Sequence, residues 1–420
     1  MRIVDVLGVE GRSGFFSDDQ AAIRNGARHD GFTYAGTPLT PGFRAIRQAG
    51  EAVSVLLLLD DGQVAYGDCA AVQYSGVGGR DPVFAAAAAC NIISRKIKPL
   101  LVGLDVSRFR GPAELIDRIE PDGRPLHTAI RYGVSQALLD ATARARRLTM
   151  AEVIQDEYDT GIAIDIVPLF TQSGDDRYAN VDKMVLKGSG VLPHGLINTI
   201  DGKLGQHGEL LAEYVGWVRD RVLELRPDPE YSPLLHFDVY GTVGAAFGAD
   251  TDAIADYLAD LGRRAYPFRA RFEHVIDAGS RDGQILTSAR LRSALRAHGS
   301  DVKIAVDEWC NTLADIRLFV EAESADVIHV KTPDLGGITN TIEALLLVAR
   351  SGLEAYCGGT CNETDRSAQI CAHIAMACGA GQVLAKPGMG VDEGMMIVGN
   401  EMARTLALVN ARAQARSAAR

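Results

Sequence analysis

The stretch LLHFD, residues 234–238, is a short apolar run that ends in an acid, and the same pattern recurs three times further along the chain. FRARFE ends at Glu273, KIAVD ends at Asp307 and VIHVK ends at Lys331. Runs of this kind predict buried strands. Because catalytic groups collect at the carboxyl ends of the strands of an α/β barrel, three acids and one lysine at these ends predict one shared site.

From about residue 162 onward, strand-like runs alternate with helical stretches. The strand-like runs are 164–170, 183–188, 234–239, 268–273, 302–307, 326–331, 353–357 and 382–385. Eight such units in about 250 residues are what a TIM-type (β/α) barrel requires. A doubly wound sheet is the competing arrangement, but it needs fewer strands and usually a glycine-rich turn after the first strand, which this sequence lacks.

The first third of the chain predicts a different arrangement. Runs 52–60 and 63–69 are strand-like, and Asp61-Gly62 between them indicates a hairpin turn. Helical periodicity follows over 127–147, and strands followed by helices are typical of an α+β domain. We therefore predict an N-terminal α+β domain over residues 1–160, a catalytic barrel over 161–411 and a tail over 412–420.

The composition is that of a globular protein, with 47% hydrophobic and 23% charged residues. The net charge of −11 argues against binding to a nucleic-acid backbone, which needs a basic surface. The N-terminal segment lacks the pattern of a secretory signal, and the apolar runs are too short for a membrane helix. Seven scattered cysteines without zinc-type spacing are typical of reduced thiols, so we expect a cytoplasmic protein without membrane partners.

The spacing of the acids supports a metal site. Glu273 follows Asp238 by 35 residues and Asp307 follows Glu273 by 34, while a βαβ unit takes about 30 residues or more. Three hard oxygen ligands suit Mg²⁺, although each acid taken alone is usually an ordinary surface charge. Lys331 lies one strand further on, where burial and a nearby cation would lower the pKa of its amine and allow it to accept a proton.

Further polar residues follow the other predicted strands. His329 lies two positions before Lys331 and therefore on the same strand face. His194 lies in the loop VLPHGLIN, where a second base opposite a lysine would give access to either face of a carbon. Gln172 in FTQSGDDR offers an amide donor, and the small residues of YCGGTCNETDRS, 356–367, bring backbone N–H groups close to a carboxylate. A histidine in such a place is often a core or surface residue without catalytic function.

Motifs over nearly the whole chain resemble one known family. They are ARHDGFTYAG, GDCAAVQYSGVGGRDP, LHTAIRYG, QSGDDRYANVDKM, VLPHGLIN, FDVYGT, DEWCNT, KTPDLGG, AYCGGTCNET and LAKPGMGVDEGMMIV. On these motifs the chain is identified as a member of the methylaspartate ammonia-lyase family of the enolase superfamily. The resemblance implies an enolase-like fold, in which an α+β domain caps the (β/α) barrel.

The resemblance also implies a reaction, the reversible elimination of ammonia from (2S,3S)-3-methylaspartate to give mesaconate, by C3 proton abstraction and a metal-stabilised enolate. It implies Mg²⁺ at Asp238, Glu273 and Asp307, Lys331 as the base, and His194 as the group on the opposite face of the substrate. Substrate contacts are implied for Gln172, His329, Thr360, Cys361, Gln73 and Leu384. A homodimer, activation by a monovalent cation such as K⁺, and a role in glutamate fermentation are implied as well.

Two positions depart from the family pattern. The family has glutamine at the position of His329, and a histidine there would make the charge at a substrate contact depend on pH. The family reads Glu-Gly-Pro at the second metal ligand, where this chain has Glu273-His274-Val275. The substrate preference and pH optimum are the properties that these changes affect, because the metal ligands and the base are retained.

Two other functions are compatible with the residues alone. A racemase or dehydratase of the enolase superfamily would use the same barrel and acids, but a Lys-x-Lys pair is missing from the second strand, where Lys187-Gly188-Ser189 stands. A non-catalytic metal-dependent binding protein is the other alternative, and the presence of Lys331 argues against it. Cys361 could act as a nucleophile in principle, but no Cys-His pair is predicted, so a polar contact is favoured.

Overall fold

A computed structural model describes residues 1–121, 123–248 and 250–418 of the chain. Its N-terminal part contains an antiparallel sheet in the order β1-β4-β5 and a separate two-stranded ribbon. The strands are β1 (Ile3–Asp18), β2 (Arg28–Asp30), β3 (Thr33–Ala35), β4 (Arg47–Leu59) and β5 (Val64–Cys69). The helices are α1 (Gln20–Arg24), α2 (Ala86–Ile92), α3 (Lys98–Leu101), α4 (Arg110–Arg118), α5 (Thr128–Arg146) and α6 (Met150–Tyr158), with a π-helical turn, Ile93–Ile97, between α2 and α3.

Local sequence signals explain this part of the fold. The predicted hairpin joins β4 to β5, and Gly62 takes the positive φ of 84° that the tight turn requires. Helix α5 packs on β5 so closely that a Cβ on Gly133 would lie 2.5 Å from the Cys69 backbone nitrogen. Thr149 and Glu152 form the predicted capping box at the start of α6.

The remainder of the chain forms a closed parallel barrel, which confirms the predicted fold class. Around the ring the strand order is β10-β11-β12-β13-β6-β7-β8-β9. The strands are β6 (Leu169–Phe170), β7 (Val191–His194), β8 (Leu234–Asp238), β9 (Ala270–Glu273), β10 (Lys303–Val306), β11 (Val327–Val330), β12 (Glu354–Cys357) and β13 (Gln382–Leu384). The helices are α7 (Ala179–Leu186), α8 (Glu209–Leu225), α9 (Thr242–Ala246), α10 (Thr251–Ala265), α11 (Arg281–Ala297), α12 (Leu313–Glu321), α13 (Ile338–Arg350), α14 (Asp365–Cys378) and α15 (Asp392–Ala418), with a π-helical turn, Ile200–Leu204, before α8.

Two segments differ from their prediction. The run 183–188, predicted as the second barrel strand, lies largely in helix α7, because Val181, Met184 and Val185 bury one helical face. The second strand is instead β7, a few residues later. At the C-terminus, residues 412–418 of the predicted tail continue α15, whose alanine-rich and arginine-rich sequence favours a helix, and Arg412 pairs with Glu152. Residues 419–420 lie outside the described residues.

The barrel interior has its own small apolar cluster, separate from the core between the barrel and its helices. This cluster consists of Phe170, Val191, Ala305, Val327, Tyr356 and Leu384. Since the cluster fills the interior, the barrel is a packed scaffold and its open end is left for polar groups. All seven cysteines are described, and none of them forms a disulfide. Over the described residues, every helix is too short or too polar to cross a lipid bilayer.

Candidate active site

A cavity of about 380 Å³ lies at the carboxyl ends of the barrel strands. The sequence-predicted site residues all line it: Gln73, Gln172, His194, Asp238, Glu273, Asp307, His329, Lys331, Thr360, Cys361 and Leu384. The N-terminal domain closes one side of the cavity with Gln73, Tyr74 and Arg80. Residues that are far apart in the sequence therefore share one enclosure, as their common position at strand ends predicted.

Three carboxylates from neighbouring strands form the acidic part of the cavity. Asp238 ends β8 and lies opposite Glu273, which ends β9, while Asp307 directly follows β10. Burial raises the pKa of Asp238 well above its usual range, and repulsion from Glu273 and Asp307 raises it further. Glu273 Oε2 lies 2.9 Å from His236 Nε2, and both oxygens of Asp307 face the amine of Lys331. Three carboxylates this close together, one of them repelled by the other two, fit a divalent cation.

His329 lies between two of these acids. Its Nδ1 is 2.9 Å from Glu273 Oε1, 3.1 Å from Asp307 Oδ1 and 2.5 Å from the Tyr356 hydroxyl. One ligand atom each from Glu273, Asp307 and His329 lies within 4.8 Å of the others, so these three residues could hold a metal ion. The Asp238 carboxylate lines the same cavity outside this cluster.

Lys331 follows β11 and is held by Asp307. Its Nζ is 2.7 Å from Asp307 Oδ1 and 2.9 Å from Oδ2. Burial alone would lower the pKa of Lys331, but attraction by Asp307 and Glu308 outweighs it and raises that pKa above its usual value. Asp307, the carboxylate that a bound cation would share, stabilises the ammonium form of Lys331.

His194 faces the site from the other side of the barrel. It ends β7, which is four strands away from β11 in the ring of eight described strands and therefore diametrically opposite Lys331. Its Nε2 is 3.4 Å from Asp238 Oδ2, and burial lowers the pKa of His194 to about 3. The imidazole is thus neutral at physiological pH.

The predicted substrate contacts surround the remaining space. Gln172 follows β6, Thr360 and Cys361 follow β12, and Leu384 ends β13. Gln73 enters from the N-terminal domain, where Cys361 Sγ donates to its Oε1 at 3.3 Å. Burial raises the pKa of the Cys361 thiol, which favours the predicted polar contact over a nucleophilic thiolate.

The sequence analysis did not predict several residues that line the cavity. Lys386 lies two residues beyond β13, and Tyr356 on β12 donates to Glu273 Oε1 at 2.6 Å. Arg80 bonds Asp334 at 2.9 Å and Glu308 at 3.0 Å. The run VLAK, which carries a lysine just past the eighth strand, has the same strand-end signal that marked Lys331.

The glycines of the β12 loop make room for His329. A Cβ on Gly358 would lie 1.8 Å from His329 Nε2, a distance that no side chain can occupy. Any residue other than glycine at this position would displace the imidazole. The position of the His329 ring therefore requires a glycine at 358 in the loop after β12.

Comparison with known proteins assigns the chain to a family. The family model described as "Methylaspartate ammonia-lyase N-terminus" matches residues 1–159, and "Methylaspartate ammonia-lyase C-terminus" matches residues 161–411. The methylaspartate ammonia-lyase of Clostridium tetanomorphum is 55% identical over 98% of this chain and 100% of its own. That of Citrobacter amalonaticus is 53% identical over 97% of this chain and 99% of its own.

Comparison with solved structures gives the same family. The Mg-complex of β-methylaspartase from Clostridium tetanomorphum matches with a TM-score of 0.96 and 55% identity, over 98% of this chain and 100% of that chain. The Citrobacter amalonaticus enzyme containing (2S,3S)-3-methylaspartic acid matches with a TM-score of 0.96 and 52% identity, over the same shares of the two chains. Muconate lactonizing enzyme from Pseudomonas fluorescens, with a TM-score of 0.59 and 17% identity over 94% of this chain and 88% of that chain, shares the fold. The chain therefore belongs to the methylaspartate ammonia-lyase family of enzymes, as its motifs predicted.

Proposed function

We propose that this enzyme is a Mg²⁺-dependent carbon–nitrogen lyase that converts (2S,3S)-3-methylaspartate reversibly into mesaconate and ammonia. The observation that carries the proposal is the placement of Lys331 against Asp307, beside Glu273 and Asp238, in one cavity at the barrel mouth. In this reaction the C3–H and C2–N bonds break, a C2=C3 double bond forms, and the base takes the C3 proton. The relatives' named activity, and the (2S,3S)-3-methylaspartic acid contained in the Citrobacter amalonaticus enzyme, support the same reaction.

The residues proposed to hold Mg²⁺ are Asp238, Glu273 and Asp307. Their position at one end of one cavity and their mutual repulsion fit a small hard cation. When bound, Mg²⁺ supplies Lewis-acid stabilisation of the charge that develops on a carboxylate beside the departing proton. His329 contacts two of the three acids, so it must release them or share them when the site is filled.

Lys331 is the proposed base at C3. It must be neutral to accept a proton, and its interaction with Asp307 is what now keeps it charged. A positive charge that shares the Asp307 carboxylate weakens this interaction and lowers the pKa of the amine. His194, across the barrel, is proposed to face the opposite side of the substrate and to serve the C3 epimer.

The other cavity residues are proposed to orient the dicarboxylic amino acid. Gln172, Thr360 and Cys361 would hold one carboxylate, and His329 would contact the other. Gln73 and Leu384 would line the amine and alkyl sides of the pocket. These roles agree with the positions of the side chains around the cavity, with polar groups on one side and the apolar Leu384 on another.

Several properties of the family extend to this chain as proposals. We infer a cytoplasmic homodimer that acts in glutamate fermentation and is activated by K⁺. We also propose that the domains divide near residue 160, where the two family models meet. Light scattering tests the dimer, and an assay with and without K⁺ tests the activation.

An ultraviolet assay for mesaconate tests the proposed reaction. The purified protein is given 3-methylaspartate or aspartate, with Mg²⁺ or with EDTA. We expect absorbance to increase with 3-methylaspartate and Mg²⁺, and the increase to stop with EDTA. Loss of optical activity without absorbance would indicate a racemase instead, and binding without turnover would indicate a non-catalytic protein.

A further inference from the structure

Lys386 is a cation almost fully enclosed by protein. It is 2% exposed and lines the cavity beyond β13. Lys331 is neutralised by Asp307, whereas no carboxylate of the described residues lies within ion-pair distance of Lys386. A buried ammonium without a counter-ion is costly, so the surroundings of Lys386 lack one anion.

The hydrogen bonds of Lys386 fix the orientation of an amide. An ammonium group has three donors and no acceptor, so it can approach only the oxygen end of a glutamine side chain. Lys386 Nζ donates to Gln172 Oε1 and, at 3.1 Å, to the backbone oxygen of Gly388. The Gln172 NH2 group therefore points away from Lys386, and it has no acceptor among the residues described. One ammonium donor and the amide donors are left for a ligand.

We propose that Lys386 is a positioning residue for the dicarboxylic substrate. It turns the NH2 group of Gln172 toward the substrate carboxylate that lies farther from Asp238, Glu273 and Asp307, and it places a positive charge behind that amide. This inference rests on the proposed function, since it assigns a partner to the second carboxylate of that substrate. Burial lowers the pKa of Lys386 to about 8, opposed by Cys361 and Glu363, so the amine is still mostly charged at pH 7. An anion in the cavity stabilises that charge further.

This role makes the enzyme selective for diacids. A ligand that keeps only the carboxylate next to the methyl-bearing carbon does not reach the Lys386–Gln172 pair. Mesaconate has both carboxylates, and methacrylate has only that one. Lys386 therefore contributes to the binding of mesaconate and not to the binding of methacrylate.

The test is Lys386→Met, which removes the charge and keeps the length of the side chain. We expect KM for 3-methylaspartate and the inhibition constant of mesaconate to rise roughly tenfold to hundredfold, with a smaller change in kcat. The inhibition constant of methacrylate stays unchanged, and Lys386→Arg restores part of the loss. In a Gln172→Ala background, Lys386→Met has a smaller effect than in the wild type, because part of the action of Lys386 passes through the amide of Gln172.

A matched control is Lys187→Met, which removes the same charge from an exposed pair with Asp392 and should leave KM unchanged. The positioning role is overturned if Lys386→Met weakens the binding of mesaconate and of methacrylate equally. It is also overturned if Lys386→Met has its full effect on mesaconate binding in the Gln172→Ala background. If Lys386→Met does not fold, Gln172→Glu replaces it as the test. The introduced carboxylate pairs with Lys386 and repels the ligand. Mesaconate must therefore bind more weakly to the Gln172→Glu variant than to the Gln172→Ala variant. Equal affinities of the two variants for mesaconate refute the proposal.

The two proposals fail in different ways. A wild-type enzyme that does not deaminate 3-methylaspartate defeats the proposed function. A wild-type enzyme that does so, together with a Lys386→Met variant that has the wild-type KM, defeats only the positioning role.

Discussion

At the scale of the residue, the site depends on which partner each charged group has. Lys331 and Lys386 line the same cavity, yet Asp307 raises the pKa of one and burial lowers the pKa of the other. The two pKa shifts differ in direction because Lys331 has the Asp307 carboxylate within hydrogen-bond distance and Lys386, among the residues that the structure describes, has no carboxylate at that distance. Two lysines of one cavity therefore suit the two different roles proposed for them, Lys331 as the base and Lys386 as a fixed charge.

Replacing Lys331 with alanine tests the base. We expect deamination of the (2S,3S) substrate to fall by about a thousandfold or more, because general-base catalysis is lost. Mg²⁺ binding, measured by calorimetry, should persist, since the carboxylates remain. Lys183→Met, at an exposed pair with Asp392, is the control and should keep full activity. Near-normal turnover of the Lys331→Ala enzyme would rule out its role as base.

His329→Gln tests the departure from the family. Burial would lower the pKa of His329, but Asp307 and Glu273 outweigh it and raise that pKa, so the imidazolium persists to higher pH and competes with Mg²⁺ for both acids. The competition between the His329 imidazolium and Mg²⁺ is strongest at low pH, and it ends as the pH rises through the pKa of His329. We expect the variant to need less Mg²⁺ for half-maximal activity and to show a flatter acid limb, with His298→Gln on the surface as control. Identical pH profiles for variant and wild type would contradict this explanation.

At the scale of the element, two side chains fasten one loop of the N-terminal domain to the barrel. Arg80 of the loop is one, and Asn311 after β10, whose Nδ2 donates to the Gly78 oxygen at 2.9 Å, is the other. Arg80, in the glycine-rich stretch 75–82, bonds Asp334, Glu308 and, at 3.3 Å, Asn311. Its partners follow β10 and β11, the strands that carry Asp307 and Lys331. The loop closes the cavity beside the proposed base, so its attachment affects the exclusion of water.

Arg80→Met should detach this loop. We expect kcat/KM to fall roughly tenfold or more, because the carboxylates of Asp334 and Glu308 lose their partner and the cavity opens. Limited proteolysis should cut within 75–82 faster than in the wild type. Arg44→Ala removes an exposed pair with Glu51 in the same domain and should change neither measurement. A variant with wild-type proteolysis and activity would show that the loop closes without Arg80.

At the scale of the whole molecule, the two parts of the chain share a buried acid. Glu363, in the loop after β12, accepts hydrogen bonds from Thr332 at 3.0 Å and from Ser367. Tyr132, on α5 of the N-terminal domain, donates to its Oε2 at 3.2 Å. Burial raises the pKa of Glu363 from 4.5 to about 7 even though these hydrogen bonds lower it.

This acid predicts how stability depends on pH. At this site the folded state binds one more proton than the unfolded state between pH 4.5 and about 7, so the contribution of Glu363 to stability is fully present below pH 4.5 and is lost as pH rises to about 7. The loss at this site amounts to about 3 kcal/mol. In Glu363→Gln, thermal midpoints from pH 5 to 8 should decline less than in the wild type. Glu224→Gln, at an exposed position, is the control, and parallel slopes for Glu363→Gln and wild type would refute the prediction.

The sequence by itself determined the elements and the identity of the strand-end groups. The hairpin at Gly62, the capping box of α6 and the acids at strand ends were all predictable, because turn chemistry, capping and apolar periodicity depend on residues that are close in the chain. The family motifs added the fold and the reaction class. The second barrel strand was misplaced, since a short apolar run fits one helix face as well as a strand.

Only the tertiary structure decided the contacts inside the cavity. It placed His329 between Glu273 and Asp307, left Asp238 outside that cluster, and joined Lys386 to Gln172 across 214 residues of sequence. Barrel closure brings such side chains together, and no local pattern records which of them meet. The pKa of each group follows from these long-range partners, and for this reason the attraction that Asp307 exerts on Lys331 was not predictable from the sequence.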